Sequence, residues 1–119
     1  MKILITGGGG FVGSYLCQAE LAAGNEVVAL DIAPPLKVKE LLNNPNFKYV
    51  QSDMLEEATL EPLVAETDLF YHLAAIADPQ VYCENPLKVL RLDLEATQLA
   101  LKLAFKYNKK FIFSSTSEI

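Results

Sequence analysis

The chain has 119 residues, enough for a single domain with its own core. Hydrophobic residues make up 51% and charged residues 21%, the balance of an ordinary globular protein. A formal net charge of −5 lacks the basic footprint of a nucleic-acid binder, so no nucleic acid is expected as a partner.

The chain opens with KILIT (2–6), a short apolar run that reads as a strand buried on both faces. Four glycines, Gly7 to Gly10, follow. Val12, Tyr15, Leu16, Ala19, Ala22 and Ala23 then recur at helical spacing, with Gly24 as a natural stop. EVVALD (26–31) is a second buried strand ending in a carboxylate, and Pro34 and Pro35 lead into a short helix around 37–43. FKYVQSD (47–53) is a third strand, and 59–66 a short helix with Pro62 in its first turn. DLFYHLAA (68–75) and KKFIFSS (109–115) are the fourth and fifth strands. Strands alternating with helices predict a parallel sheet covered on both faces, a doubly wound, Rossmann-like α/β fold.

Between the last two strands, Pro86 to Tyr107 reads as a long helix with two apolar faces. At 100° per residue, Leu87, Leu90, Leu94, Leu101 and Phe105 share one face, while Val89, Leu92, Ala96, Leu99, Ala100 and Leu103 share the opposite one. A surface helix needs a single apolar stripe, so the second wants a further partner. Either a larger version of this chain covers it or, as the favoured expectation, a second copy does, giving a homodimer.

A strand, a glycine turn and a helix in immediate succession form a phosphate cradle. Gly7 would make the tight turn, Gly10 would let backbone approach a pyrophosphate, and Gly13 would let helix and sheet pack closely. Gly8-x-Gly10-x-x-Gly13 and Gly7-x-x-Gly10-x-x-Gly13 are both possible registers. The phosphates would lie on amides of the helix starting near Phe11 and Val12. Asp31, at the end of strand two, would bind the adenosine ribose hydroxyls and repel a 2′-phosphate, which favours NAD over NADP as cofactor. Asp53 would meet the adenine edge, and Ile32 and Met54 beside these carboxylates join the expected cofactor contacts.

TGGGGFVG (6–13) resembles the Thr-Gly-x-x-Gly-x-x-Gly signature of the extended short-chain dehydrogenases/reductases, the NAD-dependent epimerase/dehydratase group. HLAA (72–75) is similar to that group's strand-four motif, which implies that Leu73, Ala74 and Ala75 flank the cofactor. IADPQVYCENPLKVLRLDLE (76–95) and SSTSEI (114–119) narrow the resemblance to UDP-glucuronic acid decarboxylases, and the decarboxylase type it is most similar to, unlike many epimerases, also carries Asp where Asp93 stands.

The resemblance implies a nucleotide-sugar substrate, a UDP-sugar foremost, oxidised at C4 before it loses carbon dioxide. Thr116 would hydrogen-bond the 4-hydroxyl and Glu118 would be the acid/base, while Ala77, Tyr82, Thr116 and Ser117 would contact the substrate. The alternatives are a UDP-sugar 4-epimerase or nucleotide-sugar dehydratase and, from another class, a non-catalytic dinucleotide-sensing module. The group's Tyr-x-x-x-Lys base pair does not occur, because none of the five tyrosines has Lys four residues later. The expectation is therefore an N-terminal, NAD-binding part (1–119) of a longer enzyme, inactive by itself.

His72, within an apolar strand, is expected to be a packed core histidine, and no metal site is expected. Cys17 and Cys83 lie far apart without ligand spacing and read as reduced thiols. No apolar run approaches a membrane span, so no membrane is expected as a partner and the expected location is cytoplasmic.

Overall fold

The computed structural model describes residues 1–76 and 79–115. Five strands, β1 (Lys2–Thr6), β2 (Glu26–Asp31), β3 (Phe47–Gln51), β4 (Leu69–His72) and β5 (Lys110–Phe113), form one parallel sheet in the order β3-β2-β1-β4-β5. The chain winds outward from β1 to β3, crosses back to β4 and winds the other way. This is the doubly wound, Rossmann-like arrangement, with its topological switch between β1 and β4.

Alternation along β1 supplies both cores. Ile3 and Ile5 join Cys17, Val27, Ala29, Val38 and Phe47 on the face covered by α1 (Phe11–Ala22). Leu4 joins Leu30, Phe70 and the residues of α2 (Glu57–Glu66) and of the long C-terminal helix on the other. The cover of that second face is pinned at its rim, where Lys106 Nζ and the Tyr107 hydroxyl donate to Glu61 Oε1 at 2.6 and 2.7 Å. Hydrogen bonds from Lys106, then Tyr107, hold the Glu61 carboxyl below its ordinary pKa.

The local structure departs from the sequence pattern in several places. The helix expected at 37–43 is a single 3-10 turn, Lys39–Leu41, anchored by fully buried Val38. β3 stops at Gln51, so Asp53 lies in the following turn, where its Oδ1 accepts the Leu55 amide at 2.9 Å. α2 begins at Glu57, because the Thr59 and Leu60 amides both donate to Glu56 O, and Pro62 therefore lies inside the helix rather than in its first turn. α1 turns a different face inward. Gly13, Ser14 and Cys17 are buried, whereas Val12, Tyr15, Ala19 and Ala22 are exposed. Small residues at i and i+4 let the helix axis approach the sheet, which outweighs burial of the larger side chains.

A short helix absent from the sequence reading, α3 (Pro79–Glu84), precedes the long one. That long helix runs as α4 (Pro86–Leu90), a π turn (Arg91–Glu95) and α5 (Ala96–Lys106). Asn85 starts it, its side-chain oxygen accepting the Lys88 amide. Its two faces divide as the spacing implies. Ala96, Ala100 and Leu103 are fully buried, while Leu87, Leu90, Leu94, Leu101 and Phe105 are exposed, Phe105 by 90%. Among the described residues no helix is long and apolar enough to cross a membrane.

The division predicts opposite outcomes for neighbouring truncations. Leu103→Ala should lower unfolding stability by about 2–5 kcal/mol through an unfilled cavity, and Phe105→Ala by no more than about 0.5 kcal/mol in the monomer. Chemical denaturation of the two variants below any association threshold checks this.

Candidate functional site

A cleft of about 1040 Å³ opens at the carboxyl ends of the strands, over the β1/β4 switch. The backbone at its base requires two of its glycines. Gly7, with φ +74°, sits where L side chains are strained, and a Cβ on it would lie 2.8 Å from the Ala74 nitrogen. Gly13 packs directly on the turn, and a Cβ there would overlap the Gly7 carbonyl and stand 2.8 Å from Gly8 Cα. The tight turn therefore begins at Gly7, the first glycine of the Gly7-x-x-Gly10-x-x-Gly13 register, and Gly8 of the other register is also held close, a Cβ on it falling 2.5 Å from Ala29 Cβ. Gly13's close partner is the turn itself rather than the sheet.

Gly10 donates its amide to Gly7 O at 3.0 Å and occupies the N-cap of α1, whose first intrahelical bond runs from Ser14 N to Gly10 O. The amides of Phe11, Val12 and Gly13 thus have no acceptor within the helix. No side chain caps this end, and no acidic residue lies in its first turn. Phe11 and Val12 are 71% and 64% exposed beside it. The result is a bare, positively polarised helix start facing the cleft, which suits a diphosphate and nothing positively charged.

Across the glycine turn stands Asp31. Its Oδ2 accepts the Gly9 amide at 2.9 Å and its Oδ1 the Ala33 amide at 3.0 Å. Each carboxylate oxygen has a further lone pair for a ligand hydroxyl. Behind the cleft lining, the Tyr49 hydroxyl donates to Ala33 O at 2.6 Å. Burial, then the Asp31 charge, pushes the Tyr49 phenol up to about 12, so it stays a neutral donor.

The opposite wall is the segment after β4. Leu73 donates its amide to Thr6 O and also faces Thr6 Oγ1 at 3.2 Å, and the Ile76 amide donates to Asp93 Oδ1 at 3.0 Å. Gly7, Gly10, Phe11, Val12, Gly13, Asp31, Ile32, Asp53, Met54, Leu73, Ala74 and Ala75 all line this one cleft. Tyr82, 43% exposed on α3, is not among its lining residues. Ala77, Thr116, Ser117 and Glu118 lie outside the described residues.

Three cations that were not among the expected site residues are found here. Lys37, Lys88 and Arg91 also line the cleft. Lys88 and Arg91 arrive from α4 and the π turn, and only the crossing of that helix over the sheet ends brings them there. Nothing in their sequence spacing signals it.

His72 is 1% exposed. No group of three potential metal ligands occurs among the described residues. Its ring stacks on Phe111 and Phe113 at 6.1 and 6.0 Å, and burial alone lowers its pKa from 6.5 to about 4. Folded His72 therefore stays neutral where the unfolded chain takes up a proton, so its contribution to stability is lost as pH falls from 6.5 towards 4. Between pH 7 and pH 5 the loss from this group should be about 2 kcal/mol. Urea unfolding at both values checks it, with His72→Gln expected to remove that share of the difference.

A sequence profile of the NAD dependent epimerase/dehydratase family matches residues 3–119. The chain is 35% identical over 122 residues to UDP-glucuronic acid decarboxylase 4 of Arabidopsis thaliana, a match covering 100% of this chain and 26% of that protein. It superimposes on the PbgP3 protein of Burkholderia pseudomallei with a TM-score of 0.90 at 33% identity, over 98% of this chain and 35% of that one. The UDP-glucose 4-epimerase of Thermotoga maritima, solved with UDP-glucose, superimposes with a TM-score of 0.86 at 30% identity, over 98% and 38% of the two chains. The chain thus spans about a quarter of the length of the curated relatives it matches.

Proposed function

Because the chain belongs to the NAD dependent epimerase/dehydratase family, we propose that it is the N-terminal, NAD-binding part of a nucleotide-sugar enzyme that oxidises UDP-glucuronate at C4 and decarboxylates it. The observation that carries the cofactor assignment is the uncapped start of α1 opening into the same cleft as Asp31. The diphosphate would lie on the Phe11 to Gly13 amides, the adenosine ribose on Asp31 and the adenine towards Asp53. The nicotinamide would then fall against Leu73 to Ala75. When bound, NAD supplies the acceptor for the hydride leaving the sugar. The chain's own residues hold that acceptor still and exclude water from one side of it.

A negative carboxylate at Asp31 disfavours the extra phosphate of NADP, although Lys37 on the same cleft rim offsets part of that repulsion. Thr116 would bind the 4-hydroxyl and Glu118 would act as acid/base, with Ala77, Tyr82 and Ser117 contacting the sugar nucleotide. Those roles rest on the decarboxylase resemblance. Once C4 is a ketone, the adjacent carboxylate is a β-keto acid and leaves as carbon dioxide with the electrons taken up by the ketone. Solved relatives named as UDP-sugar 4-epimerases favour a second reading, in which the ketone is reduced again from its other face. The exposed leucine face of α4–α5 would pair with a second copy, and the enzyme would work in the cytoplasm.

The full-length protein, given NAD and UDP-glucuronate, should release carbon dioxide. Interconversion of UDP-sugar epimers without carbon dioxide release would select the second reading, and NAD binding with no turnover of any UDP-sugar would leave a dinucleotide sensor. The 119-residue chain alone should bind NAD and show no turnover. In calorimetric titrations, Asp31→Asn should weaken NAD binding about tenfold, the scale of one charge-assisted hydrogen bond, and narrow the preference over NADP. Unchanged affinity for both would remove Asp31 from the site.

A further inference from the structure

His72 is a buried titratable group beside the cleft that the cofactor reading leaves unused, and both its ring nitrogens are engaged. Nδ1 lies 2.8 Å from Thr6 Oγ1 and Nε2 lies 3.0 Å from Thr97 Oγ1. The proton positions along this chain follow from its far end. Thr97 has one hydroxyl proton, and it is donated to the Asp93 carbonyl at 2.6 Å, which can only accept. Towards His72 the Thr97 oxygen must therefore accept, so the hydrogen is on Nε2. In a neutral ring Nδ1 is then bare, and Thr6 donates to it. The lone pairs of Thr6 Oγ1 are left to face the Leu73 and Ala74 amides at 3.2 and 3.4 Å.

Every member has one orientation, and the ends of the chain meet. Thr6 holds the beginning of the cleft wall, at Leu73 and Ala74. The π turn holds its end, where Asp93 Oδ1 accepts the Ile76 amide at 3.0 Å. Thr6 also directly precedes the Gly7 turn and pairs with His72 in the sheet register. We propose that His72 and Thr97 are positioning residues that lock the 73–76 wall between β1 and the π turn, and so set the shape of the cleft where the nicotinamide would rest. The role in cofactor affinity depends on the NAD reading above, while the hydrogen-bond lock does not. A histidine serves where a hydrophobic residue would pack equally well because it can accept from one strand and donate to a helix at once, through a rigid ring.

The test uses the full-length protein. Nitrogen-15 NMR of the His72 ring, assigned by its loss in His72→Gln, should show the Nε2–H tautomer, unprotonated down to about pH 5. The Nδ1–H tautomer, or a ring charged near neutrality, would overturn the proposal. Thr97→Val removes the acceptor for Nε2–H, and Thr97→Ser restores it. Hydrogen exchange at the Leu73, Ala74 and Ile76 amides should quicken about tenfold in Thr97→Val and return close to the wild-type rate in Thr97→Ser. NAD affinity should follow the same pattern, about tenfold weaker in the valine variant. Wild-type exchange at those amides in Thr97→Val would refute the lock. A lower melting temperature with unchanged NAD affinity would refute the positioning role. Wild-type protein that fails to bind NAD would defeat the cofactor reading alone, since the tautomer and exchange measurements judge the lock without cofactor.

Discussion

The contact on which the rest of the cleft depends is that of Gly13 against the Gly7 carbonyl. It presses the first turn of α1 onto the turn leaving β1, so only the four glycines Gly7 to Gly10 separate the strand's end from the helix start. From that contact follow the inward face of α1, made of small residues, and the direction in which its unpaired amides point. It also brings Gly7 against the backbone of Leu73 and Ala74. One close approach between backbones thereby sets floor, anion seat and wall together.

Charge is distributed to suit. The protein is acidic overall, yet the cleft has no carboxylate at its helix start and three cations elsewhere on its lining. Asp31 ends β2 and Asp53 follows β3, whereas Lys88 is carried by α4 and Arg91 by the π turn. The neutral His72 beneath the wall adds no charge of its own, consistent with a supporting part.

The long helix does two tasks at once. Its inner face fills the core with Leu103 and the small residues Ala96 and Ala100, while Asp93 of its π turn reaches the cleft wall at Ile76 and Thr97 of α5 reaches His72. A π turn exchanges regular i to i−4 bonding for a local widening, and such widenings recur where a helix must aim side chains at a site. Its outer face leaves five large apolar side chains in solvent, more than a lone surface helix explains.

Much was determined by sequence alone, and for local reasons. All five strands were legible as short runs rich in β-branched and aromatic residues bounded by turn residues, the partly exposed edge strands β3 and β5 included, and a chain of alternating strands and helices leaves few right-handed topologies. The glycine turn, Asp31 and the two faces of the long helix were legible because each follows from short-range spacing. Tertiary structure decided the rest. The spacing could not place the positive φ at Gly7 or its close approach to Ala74, which depend on the segment after β4. It misjudged the inner face of α1, where helix–turn distance outweighed side-chain size, and it expected a helix at 37–43 where only one turn forms. Lys88, Arg91 and the His72–Thr97 bridge depend on partners 25 or more residues away, brought together by a crossover whose path no local pattern records.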